Sequence, residues 1–241
     1  MAGPSPLHRR RFPVPSIDAS VLCGFLQEAA GSDAEARGFG MRHFLGQGLA
    51  WMLQRLVVEV RIWPTPPQEI TVTTWPTSFG GAIAERVFVV EDEAGAVLAQ
   101  AASRWALVDL RARRALRLPD PLRRTPIPSE GVDVRIGPAP AVSRDATPLE
   151  ERGVEVGQAD LDLLGHANNT RYVQWGLQAV PEAWRGGREL CAFDVAFRKE
   201  VVLGDTLASR TFAAGADRLA HALVRAEGGE TVATLETRWR A

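Results

Sequence analysis

Apolar and polar positions change period along the chain, and the same order of changes occurs twice. Residues 17–37 place Val21, Leu22, Phe25, Leu26 and Ala29 at three- and four-residue spacing, the stripe of a helix with one buried side. Asp18 or Ser20 is placed to start that helix and Gly38 to end it. From residue 51 the period falls toward two. Segments 51–62, 69–75, 84–90 and 97–109 are rich in Val, Ile, Thr and Trp and alternate apolar with polar residues, which predicts strands. Pro64, Pro66 and Pro67 separate the first strand from the second. Seven prolines and several charges then fill residues 118–150 without periodicity, the composition of a connector laid over a surface. The order resumes with a short strand near Val154, a helix after Asn168, and strands about 193–198, 206–213, 219–226 and 231–240. One helix followed by an antiparallel sheet is the repeated unit, so an α+β fold is expected.

The two halves also share residues. Glu93-Ala-Gly95-Ala-Val-Leu-Ala99 leads to Ser103-Arg104-Trp105, and Glu227-Gly-Gly229-Glu-Thr-Val-Ala233 leads to Thr237-Arg238-Trp239, with Gly, Ala, Arg and Trp recurring at an offset of 134 residues. Phe25-Leu-Gln27 and Tyr172-Val-Gln174 sit early in their helices at an offset of 147, a difference that changes in loop length would absorb. The expected division is an N-terminal domain at 1–118, a proline-rich connector at 119–150 and a C-terminal domain at 151–241.

Composition narrows the class. The chain has 241 residues, 46% hydrophobic and 24% charged, with a net charge of -1, a balance that argues against nucleic-acid binding. Its two cysteines, Cys23 and Cys191, lie far apart with no metal-type spacing, so a reducing compartment is expected. No run reaches the roughly 20 apolar residues of a membrane span. Met1 to Arg11 carries arginines without an apolar stretch behind them, and a cytoplasmic location is the expectation. Lys199 is the sole lysine, which reads as genomic bias toward arginine.

Candidate chemistry gathers in one stretch. Asp162-Leu-Leu-Gly165-His166-Ala-Asn168-Asn169-Thr-Arg-Tyr172-Val-Gln-Trp175 packs an acid, an imidazole and two amides around a glycine just before an apolar helix. Gly165 permits a tight turn, and unpaired amides at a helix start, with the helix dipole, favour negative charge such as a polarised carbonyl oxygen. An Asx-rich helix cap is the alternative origin of such a cluster. Asn168 and Asn169 suit either fixing the turn or touching substrate, whereas Tyr172 and Trp175, three apart on one helical face, suit the core.

In the first half, Gly48-Leu-Ala-Trp51-Met-Leu-Gln-Arg55, Thr74-Trp75-Pro76, Glu85-Arg86-Val-Phe88 and Ser103-Arg-Trp105, running through Asp109 to Arg113-Arg114, form a second set of signatures. Together with the 162–175 stretch and Phe197-Arg198-Lys199-Glu200 they resemble the acyl-acyl-carrier-protein thioesterases, over nearly everything from Phe12 onward. That resemblance implies two tandem hotdog domains, each a helix wrapped by a curved antiparallel sheet, and hydrolysis of a fatty acyl thioester. It places Asp162, His166 and Glu200 at the family's functional positions. The N-terminal copy lacks the set, so one active site per chain is implied. Two positions depart: Leu164 stands where the plant-like pattern has asparagine, and Val201 where many relatives have a cysteine, which excludes a cysteine nucleophile there.

Hydrolysis of a thioester needs an aimed water or carboxylate, a base, and donors for the oxyanion. Glu200 is the preferred base or nucleophile and Asp162 the competing one, with His166 orienting or protonating the leaving thiolate and the helix-start amides binding the oxyanion. Gly165, Asn168 and Asn169 are expected to contact the head of the substrate, and Val21, Leu22, Phe25 and Leu26 its acyl chain, at about 0.8 kcal/mol per buried methylene. The implied partner is acyl carrier protein bearing a phosphopantetheine-linked acyl chain. Arg111, Arg113, Arg114, Arg117, Arg123 and Arg124 either face that acidic partner or are simply solvated. No cofactor or metal is implied. An acyl-coenzyme-A thioesterase and a non-hydrolytic acyl-binding protein remain alternatives on the same fold, and either a monomer or a homodimer is compatible with the duplication.

Overall fold

The computed structural model describes residues 7–143 and 145–241, which divide between Ile136 and Gly137 into two compact units. Unit 1 contains β1 (His8–Val14), α1 (Ala19–Ala36), α2 (Met41–Leu45), β2 (Leu49–Val60), β3 (Gln68–Gly80), β4 (Ile83–Glu91), β5 (Val97–Asp109), β6 (Arg114–Ala115) and α3 (Asp120–Arg123). Its strands run in the order β1-β3-β4-β5-β2, antiparallel throughout, with β6 paired to β5. Unit 2 contains β7 (Glu150–Glu155), a 3-10 turn (Gln158–Asp160), α4 (Asn169–Gln178), α5 (Glu182–Arg185), β8 (Glu189–Phe197), β9 (Thr206–Ala213), β10 (Arg218–Arg225) and β11 (Thr231–Arg240). Their order is β7-β9-β10-β11-β8. Position for position the two orders are the same, as a duplication requires. The repeated Trp motif makes the same bond twice: Trp105 Nε1 donates to Ser103 Oγ at 2.8 Å and Trp239 Nε1 to Thr237 Oγ1 at 2.9 Å.

In unit 1, α1 lies on β3 and β1. Asp18 caps it, accepting from the Val21 amide at 2.8 Å, which decides between the two candidate starts. Ala19, Leu22, Cys23, Leu26, Ala29, Ala30 and Asp33 are its buried residues. Val21 and Phe25 lie on the shoulder, half-buried, with the Phe25 ring stacked on Phe12 at 4.7 Å between centroids. Asp33 is buried with partners: Arg37 Nε and Arg86 Nη2 each approach it at 2.8 Å, so the ionic pairs tie the helix to β4.

Of the arginine-bearing start, residues 1–6 lie outside the described residues. From His8 it forms β1, a strand with no sequence expectation behind it. Arg9 and Arg11 face solvent while Phe12 and Val14 are buried, and an edge strand tolerates both the arginines and Pro13. The proline-rich segment is held at both ends. Val132, Val134 and Ile136 pack beside Trp75, Val87 and Ala102, and Val142 and Ala146 pack beside Phe212 and Ala222.

Unit 2 places α4 against β9, β10 and β11. Tyr172, Val173, Trp175 and Gly176 are its buried residues. Gly176 is required by closeness: a Cβ there would stand 2.7 Å from Leu235 Cδ2. Thr211, His221 and Thr237 form a buried polar row, with both His221 ring nitrogens 2.9 Å from a threonine oxygen.

Candidate active site

The stretch 162–169 folds as two successive caps. Asp162 opens a tight turn in which the Gly165 amide reaches its carbonyl at 3.1 Å, and Gly165 adopts φ +78, the left-handed region its missing Cβ allows. The Asp162 carboxylate accepts from the Leu164 amide at 2.8 Å and the His166 amide at 3.3 Å. Asn168 then caps α4, its Oδ1 accepting from Thr170 N at 3.0 Å and Thr170 Oγ1 at 2.9 Å. Asn169 begins the helix, half-buried.

A second loop lies beside this turn. His166 bridges to Val202, and the Ala167 amide donates to the Val201 carbonyl at 2.7 Å. The pairing brings His166 Nε2 to 3.6 Å from Glu200 Oε2, each side chain about a quarter exposed (24% and 25%). At that separation a small movement or one water completes a hydrogen bond.

Of the three candidate residues, His166 and Glu200 approach each other side chain to side chain, and Asp162 lies in the same turn as His166. Asp162 reaches His166 through its backbone amide, as the acid that closes the turn. Most of the amides expected as oxyanion donors are already bonded: those of Leu164, Gly165 and His166 to Asp162, those of Thr170 and Arg171 to Asn168, that of Ala167 to the Val201 carbonyl and that of Asn168 to the Asp160 carbonyl. With Asn168 Oδ1 turned to Thr170, its Nδ2 amide and the His166 ring are side-chain donors at the same turn. Val201 is fully buried, and Cys191 donates to the Arg238 carbonyl at 3.3 Å on β11.

Tyr172 is core, as its helical position suggests, and does more. Its hydroxyl donates to the Lys199 carbonyl at 3.0 Å, its ring meets Phe197 at 5.5 Å, and burial pushes its phenol above the ordinary value. Arg225 and Asp205, absent from the sequence reading, complete the surroundings: Arg225 bonds Asp205, the Glu200 carbonyl and Glu230. Burial opposes the Arg225 charge, but Asp205 and Glu230 outweigh it and raise the guanidinium further. A hydrogen bond from Lys199 holds the Glu230 carboxyl below the usual range. Among the described residues no group of three or more His, Cys, Asp and Glu side chains is placed to hold a metal.

Unit 1 has the corresponding segments without this chemistry. The link from β1 to α1, residues 15–18, supplies Asp18 as a cap but no histidine, and the passage from β2 to β3 runs Arg61-Ile-Trp63-Pro-Thr-Pro-Pro67 with no carboxylate. Val21, Leu22, Phe25 and Leu26 all belong to α1 of this unit.

Two family models match. Residues 16–125 match the acyl-ACP thioesterase N-terminal domain and residues 144–241 the acyl-ACP thioesterase C-terminal domain. Among curated proteins, a chloroplastic acyl-acyl-carrier-protein hydrolase of Cuphea viscosissima is 29% identical over 219 residues, covering 84% of this chain and 52% of its own length. A chloroplastic dodecanoyl-acyl-carrier-protein hydrolase of Cinnamomum camphora is 26% identical over 241 residues, covering 93% and 63%. The chain therefore spans between half and two thirds of these relatives. Among solved structures, an acyl-ACP thioesterase from Bacteroides thetaiotaomicron superposes with a TM-score of 0.88 at 22% identity, covering 97% of this chain and 98% of that one. A 12:0-ACP thioesterase from Umbellularia californica gives 0.86 at 25% identity, covering 100% and 99%. The α+β, tandem hotdog fold expected from the sequence is the fold of the chain.

Proposed function

The chain belongs to the acyl-ACP thioesterase family, and from that premise we propose that it hydrolyses fatty acyl-acyl-carrier protein to free fatty acid and carrier protein, with unit 2 supplying the reacting groups. The observation that carries the reading is the 3.6 Å approach of His166 to Glu200 beside a glycine turn.

In this scheme Glu200 takes a proton from a water as its oxygen bonds to the thioester carbon, giving a tetrahedral oxyanion. His166 and the Asn168 Nδ2 amide are the donors available to that oxygen, a contribution often worth about 3 kcal/mol. Collapse breaks the C–S bond, His166 protonates the leaving thiolate, and the proton held by Glu200 returns to His166. Asp162 serves by fixing the turn from which His166 projects. No cysteine is needed, consistent with Val201 in the core.

Leu22 and Leu26 are core residues of unit 1, and the acyl nature of the substrate rests on the family. The carrier as donor is supported by charge: Arg111, Arg113, Arg114, Arg117, Arg123 and Arg124 are all exposed within 14 residues of a chain whose net charge is -1. Thiol release from acyl-carrier protein and acyl-coenzyme A, followed in parallel, tests the assignment. Higher kcat/KM on the carrier donor, abolished by Glu200→Ala, supports it. Preference for coenzyme A gives the second thioesterase reading, and binding without release from either donor refutes hydrolysis.

A further inference from the structure

Glu200 lies on no regular element. β8 ends at Phe197 and β9 begins at Thr206; between them the Arg198 and Lys199 amides still reach the Val232 carbonyl of β11, and Val202 bridges to His166. Three consecutive carbonyls of that segment are also held from three directions: Lys199 by the Tyr172 hydroxyl of α4 at 3.0 Å, Glu200 by Arg225 at the end of β10, and Val201 by the Ala167 amide at 2.7 Å.

Arg225 makes the largest share of these ties. Nη2 donates to the Glu200 carbonyl and Nη1 to Asp205 Oδ2, the same oxygen that accepts the Val202 amide at 2.8 Å. Nε approaches Glu230 at 3.3 Å, and the other oxygen of Glu230 holds Lys199 Nζ at 3.1 Å. One guanidinium is thus bonded directly to the Glu200 backbone and, through one carboxylate on each side, to the residues at 199 and 202. The planar fork of arginine can span these acceptors together, whereas a lysine ammonium is a single point on a flexible stem.

We propose that Arg225 is a positioning residue: it fixes the backbone of Glu200 so that the carboxylate stays at His166, and it acts on the reaction only through Glu200. The kinetic consequence rests on the thioesterase reading, while the structural consequence does not. Misplacement of a reacting group by about 1 Å can cost a hundredfold in rate.

The test uses the full chain with Arg225→Gln, Arg225→Lys and, should the first not fold, Asp205→Asn. Arg210→Gln, which removes the exposed pair with Glu151, serves as control. For Arg225→Gln the expected result is a fall in kcat of tenfold or more with KM within twofold, partial recovery in Arg225→Lys, and no change in Arg210→Gln. In a Glu200→Ala background the same substitution is expected to cost nothing further, because its effect passes through the missing carboxylate. Amide exchange in the peptide 198–205 is expected to speed up. An unchanged kcat in a folded variant, or an equal loss in the Glu200→Ala background, overturns the proposal. Should wild type release no thiol at all, the thioesterase reading fails by itself, and the clamp is then judged on exchange: unaltered exchange at 198–205 overturns it.

Discussion

The Asp162 carboxylate accepts two backbone amides of its own turn, whereas the Glu200 carboxylate approaches the His166 ring, and the two carboxylates should therefore fail differently. Glu200→Gln is expected to keep the fold and lose about a hundred- to ten-thousandfold in kcat, measured by thiol release with thermal unfolding as control. Asp162→Ala is expected to lose activity together with order in the 162–166 turn, visible as faster amide exchange there. Asp162 and His166 stand out in the sequence because they share one short turn, whereas Glu200, 34 residues after His166 (200 - 166), meets it only through the fold. Arg225 and Asp205 were not legible: an arginine closing a strand is ordinarily solvated, and only the fold brings it to the Glu200 carbonyl. His221 is a second residue whose meaning is tertiary. Burial between Thr211 and Thr237 lowers its pKa to about 3 from 6.5. The unfolded chain then binds the extra proton between those values, so stability present above pH 6.5 is lost as the pH falls toward 3, by about 3 kcal/mol at pH 4. Urea midpoints at pH 7 and pH 4 are expected to show this loss, reduced in His221→Gln. The cysteines separate by the same burial. Cys23 is fully buried, its thiol pushed up to about 12, and Cys191 is half-exposed, so a thiol reagent is expected to modify Cys191 alone until the protein unfolds.

Helices and long strands followed the hydrophobic period closely, since each buries one face. α1 begins two residues after the expected start, where Asp18 caps it, and β5 has the expected limits of Val97–Asp109. β1 was not legible because three consecutive arginines mask the alternation, and pairing with β3 is what makes it a strand. The connector was legible as proline-rich but not as two packed halves, because anchors such as Val134 acquire their partners only across the sheet face. In α4 the cap and the closest packing can be tested separately. Asn168→Ala is expected to cost about 1 kcal/mol of stability by denaturant unfolding, through the lost bonds to Thr170. Gly176→Ala is expected to cost about 1–3 kcal/mol, since Leu235 must move from beside the new methyl group.

Both units have the same strand order and the same Trp-to-hydroxyl bond, and the His166–Glu200 approach lies in unit 2. The sequence repeats at an offset of 134 residues were therefore a sound guide to fold. On the proposed reading, the exposed arginines of residues 111–124 would meet the carrier. Replacing Arg111, Arg113 and Arg114 together by glutamine is expected to raise KM for acyl-carrier protein about tenfold at low salt, and to leave hydrolysis of an acyl-N-acetylcysteamine thioester unchanged. The most direct measurement of the account is single-turnover thiol release from acyl-carrier protein by wild type and Glu200→Ala, both shown to be folded. Rapid release by wild type and a loss of at least a hundredfold in the variant is the predicted result; release at equal rates would contradict it.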